Sequence, residues 1–225
     1  LYDRFVNQGA VMGDSFGLEN VLWFANNKED AHEEPTIKRS RSHDYVSKEV
    51  INVRENVGLI EVANFSKHEF KGPDARKFLD HIMAGRLPKP GRISLSPMLS
   101  YRGKLCGDLT VACLDENEFM VFGSGAAQEM HRRWFESHLE KFNLSYSNRS
   151  DEYHGLSIAG PNSRKVLEKI VRDDVSNEKF KFRDSRRMFV GGVPAIINRI
   201  SFTGELGYEI YVAPHYQLKL YEELM

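Results

Sequence analysis

Met98-Leu99-Ser100-Tyr101-Arg102-Gly103-Lys104-Leu105-Cys106-Gly107-Asp108-Leu109-Thr110-Val111-Ala112-Cys113-Leu114 is the stretch on which the reading of this chain turns. Tyr101 to Lys104 is a tight polar turn, and the run after it is rich in β-formers, with one carboxylate, Asp108, set into its start. The polar triplet Asp115-Glu116-Asn117 then leads into a second apolar run, Glu118 to Phe122, which predicts a β-hairpin from Asp108 to Phe122. An acid is out of place in such a strand. Buried without a partner, it either costs several kcal/mol or is forced to hold a proton. Asp108 is therefore either an edge-strand residue facing water or a functional acid, and the local pattern leaves both open.

Outward from that hairpin, helices and strands alternate irregularly. Leu1 to Trp23 mixes aromatics with Gly9, Gly13 and Gly17, and is expected to form loops and short elements. Asn26 to Lys48 is the most polar part and suggests a surface linker. Apolar residues at 46, 50, 53 and 57 predict a helix over 45–57, closed by Gly58. Strands follow over 59–62 and 67–70, then a Pro73-Asp74 helix start and a helix over 75–83. Leu87 to Arg92 is a breaker cluster. Met130, Trp134, His138 and Phe142, four apart, predict a long helix over 126–142 with His138 as a core or rim residue. Further on come a strand over 156–159, a helix over 162–171, a hairpin from Phe189 to Ile200 around Gly191-Gly192, and a strand over 208–212 that leads into a final amphipathic helix. No internal repeat is evident. Hairpins with interspersed helices predict an α+β fold with antiparallel sheets rather than a parallel doubly wound sheet.

The 225 residues suffice for one large or two small domains. With 31 basic and 32 acidic side chains, composition points to neither nucleic acid nor an acid-binding surface. No apolar run approaches the roughly 20 residues of a membrane span, so a soluble protein is expected. Cys106 and Cys113, on one strand and its approach, lie too far apart to bridge, and a reducing compartment is the default. The start Leu1-Tyr2-Asp3-Arg4-Phe5 shows no initiator Met, signal or transit pattern, and the end falls inside a helix, so a piece of a longer polypeptide is expected.

Few catalytic signatures are present. Phe122-Gly123-Ser124-Gly125-Ala126-Ala127-Gln128 comes close to a dinucleotide fingerprint, but Gln128 takes the third glycine position and the strand before it belongs to a hairpin. The eight histidines are scattered without zinc-ligand spacing, and Ser124 lacks a nucleophile elbow. What remains is acidic: Asp108 and, at the head of the last strand, Glu209. Spacing alone does not bring them together.

A resemblance does. Lys104 to Val111, taken with Val57 to Val62, Phe70-Lys71-Gly72-Pro73-Asp74-Ala75, Ile158-Ala159-Gly160-Pro161 and Arg199 to Glu209, resembles in order the folate-binding part of the glycine-cleavage T-protein family. Arg76 to His81, Ser176 to Phe180, Gly9 to Gly13 and Leu22-Trp23-Phe24 resemble the branch formed by the C-terminal regions of dimethylglycine and sarcosine dehydrogenases. The resemblance implies a T-protein-like α+β fold lacking its C-terminal barrel-like portion, with residues 1–44 as a junction segment and polar linker and 45–225 as the folate-binding region. It implies capture of a one-carbon unit on tetrahydrofolate as 5,10-methylene-tetrahydrofolate. The FAD that oxidises the N-methyl amine would sit in a separate N-terminal domain of the full-length chain. No nucleic-acid or membrane partner is implied, and the location is the bacterial cytoplasm or the mitochondrial matrix.

Residue by residue, the resemblance gives Asp108 as the functional acid and Glu209 as the pterin-holding glutamate. Phe182, Phe202 and Leu95 stand where T-proteins have tyrosines, which keeps ring stacking at the two phenylalanines but removes the phenol hydrogen bonds. Gly107 replaces the first acid of a common Asp-Asp pair, and a further arginine of the family falls beyond Met225. The same losses would also suit a non-catalytic relative, such as the regulatory subunit of pyruvate dehydrogenase phosphatase. A free-standing aminomethyltransferase is a third reading.

Overall fold

The computed structural model describes residues 1–15 and 17–225. Helix α1 (Tyr2–Asn7) precedes a hairpin of β1 (Ala10–Ser15) and β2 (Leu18–Phe24), so the opening segment is more regular than its glycines suggest. After a stretch without regular structure come α2 (Ser42–Glu55), β3 (Gly58–Glu61), β4 (Ser66–Lys71), α3 (Ala75–Ile82), β5 (Arg92–Leu99), β6 (Leu105–Asp115), β7 (Glu118–Gly123) and α4 (Gln128–Glu136). The second half holds β8 (Ser145–Asn148), β9 (His154–Ala159), α5 (Ser163–Ile170), β10 (Ser185–Val190), β11 (Val193–Asn198), β12 (Gly207–Val212) and α6 (Gln217–Leu224). None of the helices is long and apolar enough to cross a membrane among the described residues.

Two five-stranded antiparallel sheets form the body, in the orders β5-β6-β7-β4-β8 and β10-β11-β12-β9-β3. Side-chain alternation makes each sheet two-sided. One face of the first packs under α3 and α4 through Phe70, Phe78, Leu79, Val111, Phe119 and Phe135. One face of the second packs under α5 and α6 through Leu156, Leu167, Ile197, Ile210 and Leu220. The remaining faces meet through Val62, Ile93, Ala112, Met120, Phe122, Ile196 and Tyr211. Each large apolar side chain buried in this way contributes roughly 1.5–3 kcal/mol. At the centre of that layer the rings of Phe122 and Tyr211 stack 4.6 Å apart.

The two halves repeat one another, contrary to the expectation from sequence. β4-α3-β5-β6-β7-α4 recurs as β9-α5-β10-β11-β12-α6, with the same strand order in each sheet. The edges are exchanged: β3, leading into β4, completes the second sheet, and β8, leading into β9, completes the first. The best-kept trace in sequence is Gly72-Pro-Asp-Ala-Arg-Lys-Phe-Leu-Asp-His-Ile82 against Gly160-Pro-Asn-Ser-Arg-Lys-Val-Leu-Glu-Lys-Ile170. Both glycines have positive φ, +137° and +126°. A Cβ at Gly160 would lie 2.5 Å from the Asn56 carbonyl oxygen and 2.6 Å from that of Val53, and one at Gly72 would lie 2.8 Å from Leu144 Cα. Each glycine thus lets the chain pass close to a backbone that cannot give way. Gly160→Ala and Gly72→Ala are each expected to cost roughly 2–4 kcal/mol. Urea unfolding checks this, and a loss below half a kcal/mol at either position would contradict it.

Helix α4 departs from expectation. It ends at Glu136 rather than Phe142, and its buried residues are His131 and Phe135, while Met130 is half exposed. The Ser137 hydroxyl and the His138 ring both bond the Trp134 carbonyl, and the His138 amide bonds that of Phe135, so polar side chains take over the last turn and end the helix. The strand β5, for which sequence gives no element, pairs with the outer edge of β6 from Leu105 to Cys113 and skips Cys106.

Candidate functional site

In β6, Leu109, Val111 and Cys113 pack beneath α3 and α4, and Ala112 packs between the sheets. Period-two alternation puts Asp108 and Thr110 on the same side as Ala112. In β12, Tyr208, Ile210 and Val212 face α5 and α6, while Tyr211 faces the other sheet, and Glu209 shares the side of Tyr211. Both acids therefore face the layer between the sheets. They are joined through packing: Thr110 lies opposite Phe122, Phe122 stacks on Tyr211, and the Tyr211 hydroxyl donates to Glu209 Oε2 at 2.9 Å.

Their environments differ. Asp108 is exposed at the open end of its strand. Glu209 sits in the middle of its sheet, between Asn198 on β11 and Ser157 on β9. Burial pushes its carboxyl group above the usual carboxylate range, and the Tyr211 hydrogen bond offsets this only in part. Asn198 is fully buried; its Oδ1 accepts from the Ser185 hydroxyl, and its Nδ2 has no partner within the protein.

The repeat shows that the fold does not require these acids. With Phe122 and Tyr211 equivalent, the registers place Pro194 at the counterpart of Asp108 and Met120 at the counterpart of Glu209. Met120 is fully buried, so the same layer is built with apolar side chains in the other half. The carboxylates occur once, and on one face.

Of the other positions singled out from sequence, Leu95 lies opposite Thr110 on the same face and is well exposed. Phe182, also exposed, precedes Arg183, whose Nε donates to the Ile93 carbonyl while its own carbonyl accepts from the Ile93 amide. Phe182 thus stands where β5 is stitched to the segment leading into β10. Phe202 projects from the loop between β11 and β12 with 96% of its surface exposed. The structure gathers Asp108, Glu209 and Leu95 on one face, sets Phe182 at its seam, and leaves Phe202 in solvent.

Lys67 was not picked out from sequence. It is fully buried on the same inter-sheet face, opposite Phe122. Its ammonium donates to the Ala63 carbonyl at 2.6 Å and lies 5.9 Å from the centre of the Tyr211 ring. Sequence alone shows only the polar run Ser66-Lys67-His68-Glu69; its burial on both faces appears in the structure. Burial, offset in part by Asp151 and Glu61, lowers the Lys67 pKa from 10.5 to about 8. Between those values the unfolded lysine holds a proton that the native one has lost, so this residue makes stability rise with pH across that window. Lys67→Met is expected to remove that rise, by up to about 3 kcal/mol. Unfolding curves at pH 7 and pH 10 check it; the same pH slope in both proteins would contradict it.

The glycines of the fingerprint-like segment serve packing. A Cβ at Gly125 would fall 2.0 Å from the Asn64 carbonyl oxygen, and one at Gly123 would meet Leu109 and His131. Among the described residues, no cluster of three or more His, Cys, Asp or Glu could hold a metal ion. Chemically, the inter-sheet face offers a half-buried carboxylate beside an unpaired amide, suited to a planar, donor-rich heterocycle, and an exposed acid able to take a proton.

Two stacked antiparallel sheets covered by helices, with this face between them, define an α+β fold of the T-protein type. The crystal structure of glycine cleavage system aminomethyltransferase T from Bartonella henselae superposes with a TM-score of 0.81, covering 99% of this chain and 55% of that one at 21% identity. The GCVT N-terminal domain family matches residues 1–225, and the chain belongs to that family. It is 34% identical over 217 residues to mitochondrial dimethylglycine dehydrogenase of Mus musculus, covering 95% of this chain and 25% of that protein. It is 27% identical over 227 residues to the aminomethyltransferase of Thermotoga sp. (strain RQ2), covering 100% of this chain and 57% of that protein. The chain thus spans about a quarter of the length of its dehydrogenase relative.

Proposed function

We propose that this chain is the tetrahydrofolate-binding, one-carbon-capturing part of an FAD-dependent dimethylglycine or sarcosine dehydrogenase, and that it forms 5,10-methylene-tetrahydrofolate. The observation that carries the reading is the pair of acids on the inter-sheet face, which the repeat shows the fold can do without. Membership of the family and the likeness to a dimethylglycine dehydrogenase support it.

The residues fit a reduced pterin. Glu209 presents a carboxylate whose remaining acceptor positions match the pterin's ring N–H and amino group, next to Asn198, whose buried Nδ2 has no partner. The exposed ring of Phe182 offers a stacking surface. Tetrahydrofolate supplies the N5 and N10 nitrogens on which a one-carbon unit is carried. Asp108 orients N10 and accepts the proton released there as the nitrogen adds to an iminium or formaldehyde equivalent. Such proton transfer typically contributes 10²–10⁴-fold, and holding both reactants together away from water adds more. FAD belongs to a part of the protein outside residues 1–225.

The test is the folate dependence of product. Full-length protein given an N-methyl amine should form methylene-tetrahydrofolate when tetrahydrofolate is present and release formaldehyde when it is not. Formaldehyde release that ignores added tetrahydrofolate would contradict the proposal.

A further inference from the structure

The proposed role of Asp108 raises the question of what holds its strand end in place. The support is uneven. Pairing of β6 with β7 runs only as far as Thr110, opposite Phe122. On the other edge, β5 pairs Pro97 with Asp108 and Met98 with Gly107, but the register then shifts and Leu99 meets Leu105, so Cys106 is left without a partner. Two residues before the acid, the ladder is incomplete on both sides.

His131 fills that gap. It lies on the buried face of α4 with 2% of its surface exposed, and its Nε2 is 3.2 Å from the Cys106 carbonyl oxygen. A carbonyl only accepts, so Nε2 carries the proton and donates, and Nδ1 is bare. Burial lowers the pKa of His131, which agrees with a neutral ring. The ring occupies space that two glycines leave open: a Cβ at Gly107 would lie 2.8 Å from Nε2, and one at Gly123 would lie 3.1 Å from Nδ1. The edge of the His68 ring packs nearby, with centroids 6.2 Å apart, and Phe135 follows one turn along the helix. The ring is thus wedged between α4 and the strands, and its one proton points at the carbonyl of the residue that the register skips.

We infer that His131 is a positioning residue for Asp108, replacing the missing ladder partner of Cys106 so that the strand end carrying the acid is fixed relative to the inter-sheet face. This rests on the reading of Asp108 as the proton acceptor. A side chain at position 107 would press against the imidazole that holds the strand, so Gly107 and His131 fit together.

Three substitutions test it in full-length protein. His131→Phe keeps a ring but loses the donor, His131→Gln restores an N–H at similar reach, and Gly107→Ala pushes against Nε2 from the strand side. Hydrogen exchange of the amides of residues 105–109 reads the geometry without any folate. Exchange should quicken at least tenfold in His131→Phe and in Gly107→Ala, and return to within about threefold of wild type in His131→Gln. In folate-dependent turnover, His131→Phe should lower kcat five- to tenfold and leave KM for tetrahydrofolate within twofold, with Gln recovering most of the loss.

Unchanged exchange in His131→Phe would overturn the inference. So would a uniform loss of protection across the protein with Gln no better than Phe, since that marks a residue needed only for packing. If wild-type protein shows no folate-dependent product, the functional reading fails, and the exchange result still decides whether His131 holds the strand.

Discussion

Replacing Asp108 with Asn is expected to lower folate-dependent formation of the methylene product at least tenfold in the full-length protein, with folding nearly intact. Asn matches Asp in shape but cannot take a proton. The position is exposed and Pro194 fills its counterpart in the other half, so the fold does not need the charge. Stopped-flow or coupled assays at saturating tetrahydrofolate measure the loss. Under the proposed function, amine oxidation at a flavin outside residues 1–225 should continue, and its one-carbon product should escape as formaldehyde. An unchanged rate of methylene formation would reduce Asp108 to a water-facing strand residue.

The second large effect is expected at Glu209. Glu209→Gln keeps an oxygen for the Tyr211 hydroxyl but replaces a charged acceptor with an amide that offers fewer acceptor positions. Losing a charge-assisted hydrogen bond removes about 1.5–3 kcal/mol, so affinity for tetrahydrofolate should fall roughly ten- to a hundredfold. Stability should move the other way. Burial raises the Glu209 pKa in the native state, so as pH rises from the unfolded value of 4.5 the unfolded chain gives up its proton first, and stability contributed by the protonated form is lost. Near neutral pH the native protein therefore carries a penalty that Gln lacks. A variant that binds folate less well and melts higher is what a carboxylate kept for function predicts. Weaker binding with a lower melting temperature would instead mark Glu209 as a structural residue.

How much of this was open to sequence reading depended on the range of the interaction. The hairpin from Asp108 to Phe122 and the hairpin around Gly191-Gly192 were legible because turn residues and period-two alternation are local. The long helix over 126–142 was not, because the four-residue spacing of Met130, Trp134, His138 and Phe142 fits a helix as well as the true buried pair His131 and Phe135 does. Only the side chains that compete for the Trp134 carbonyl decide where the helix stops. The repeat stayed hidden because outside the Gly72 and Gly160 segments few residues are shared, although the elements recur in the same order.

The same holds for the site. That Asp108 and Glu209 share a face follows from the stacking of two sheets, and alternation within one strand tells the side of a residue without telling what lies on that side. Resemblance to the T-protein family named the two acids; it did not name Lys67, Asn198 or His131. Those three are seen only through their surroundings: an ammonium under an aromatic ring, an amide with no partner, and an imidazole on the carbonyl of a residue the strand register skips.

The central claim is that tetrahydrofolate binds between the two sheets. Hydrogen exchange with and without saturating tetrahydrofolate, on this chain and on its Glu209→Gln variant, addresses it directly. Protection is predicted in β6 from Gly107 to Thr110, in the end of β11 at Asn198, and in the head of β12 at Glu209, with the variant needing at least tenfold more ligand to reach it. Protection confined to the helix-covered outer faces of the sheets, or equal ligand requirements for both proteins, would contradict the account.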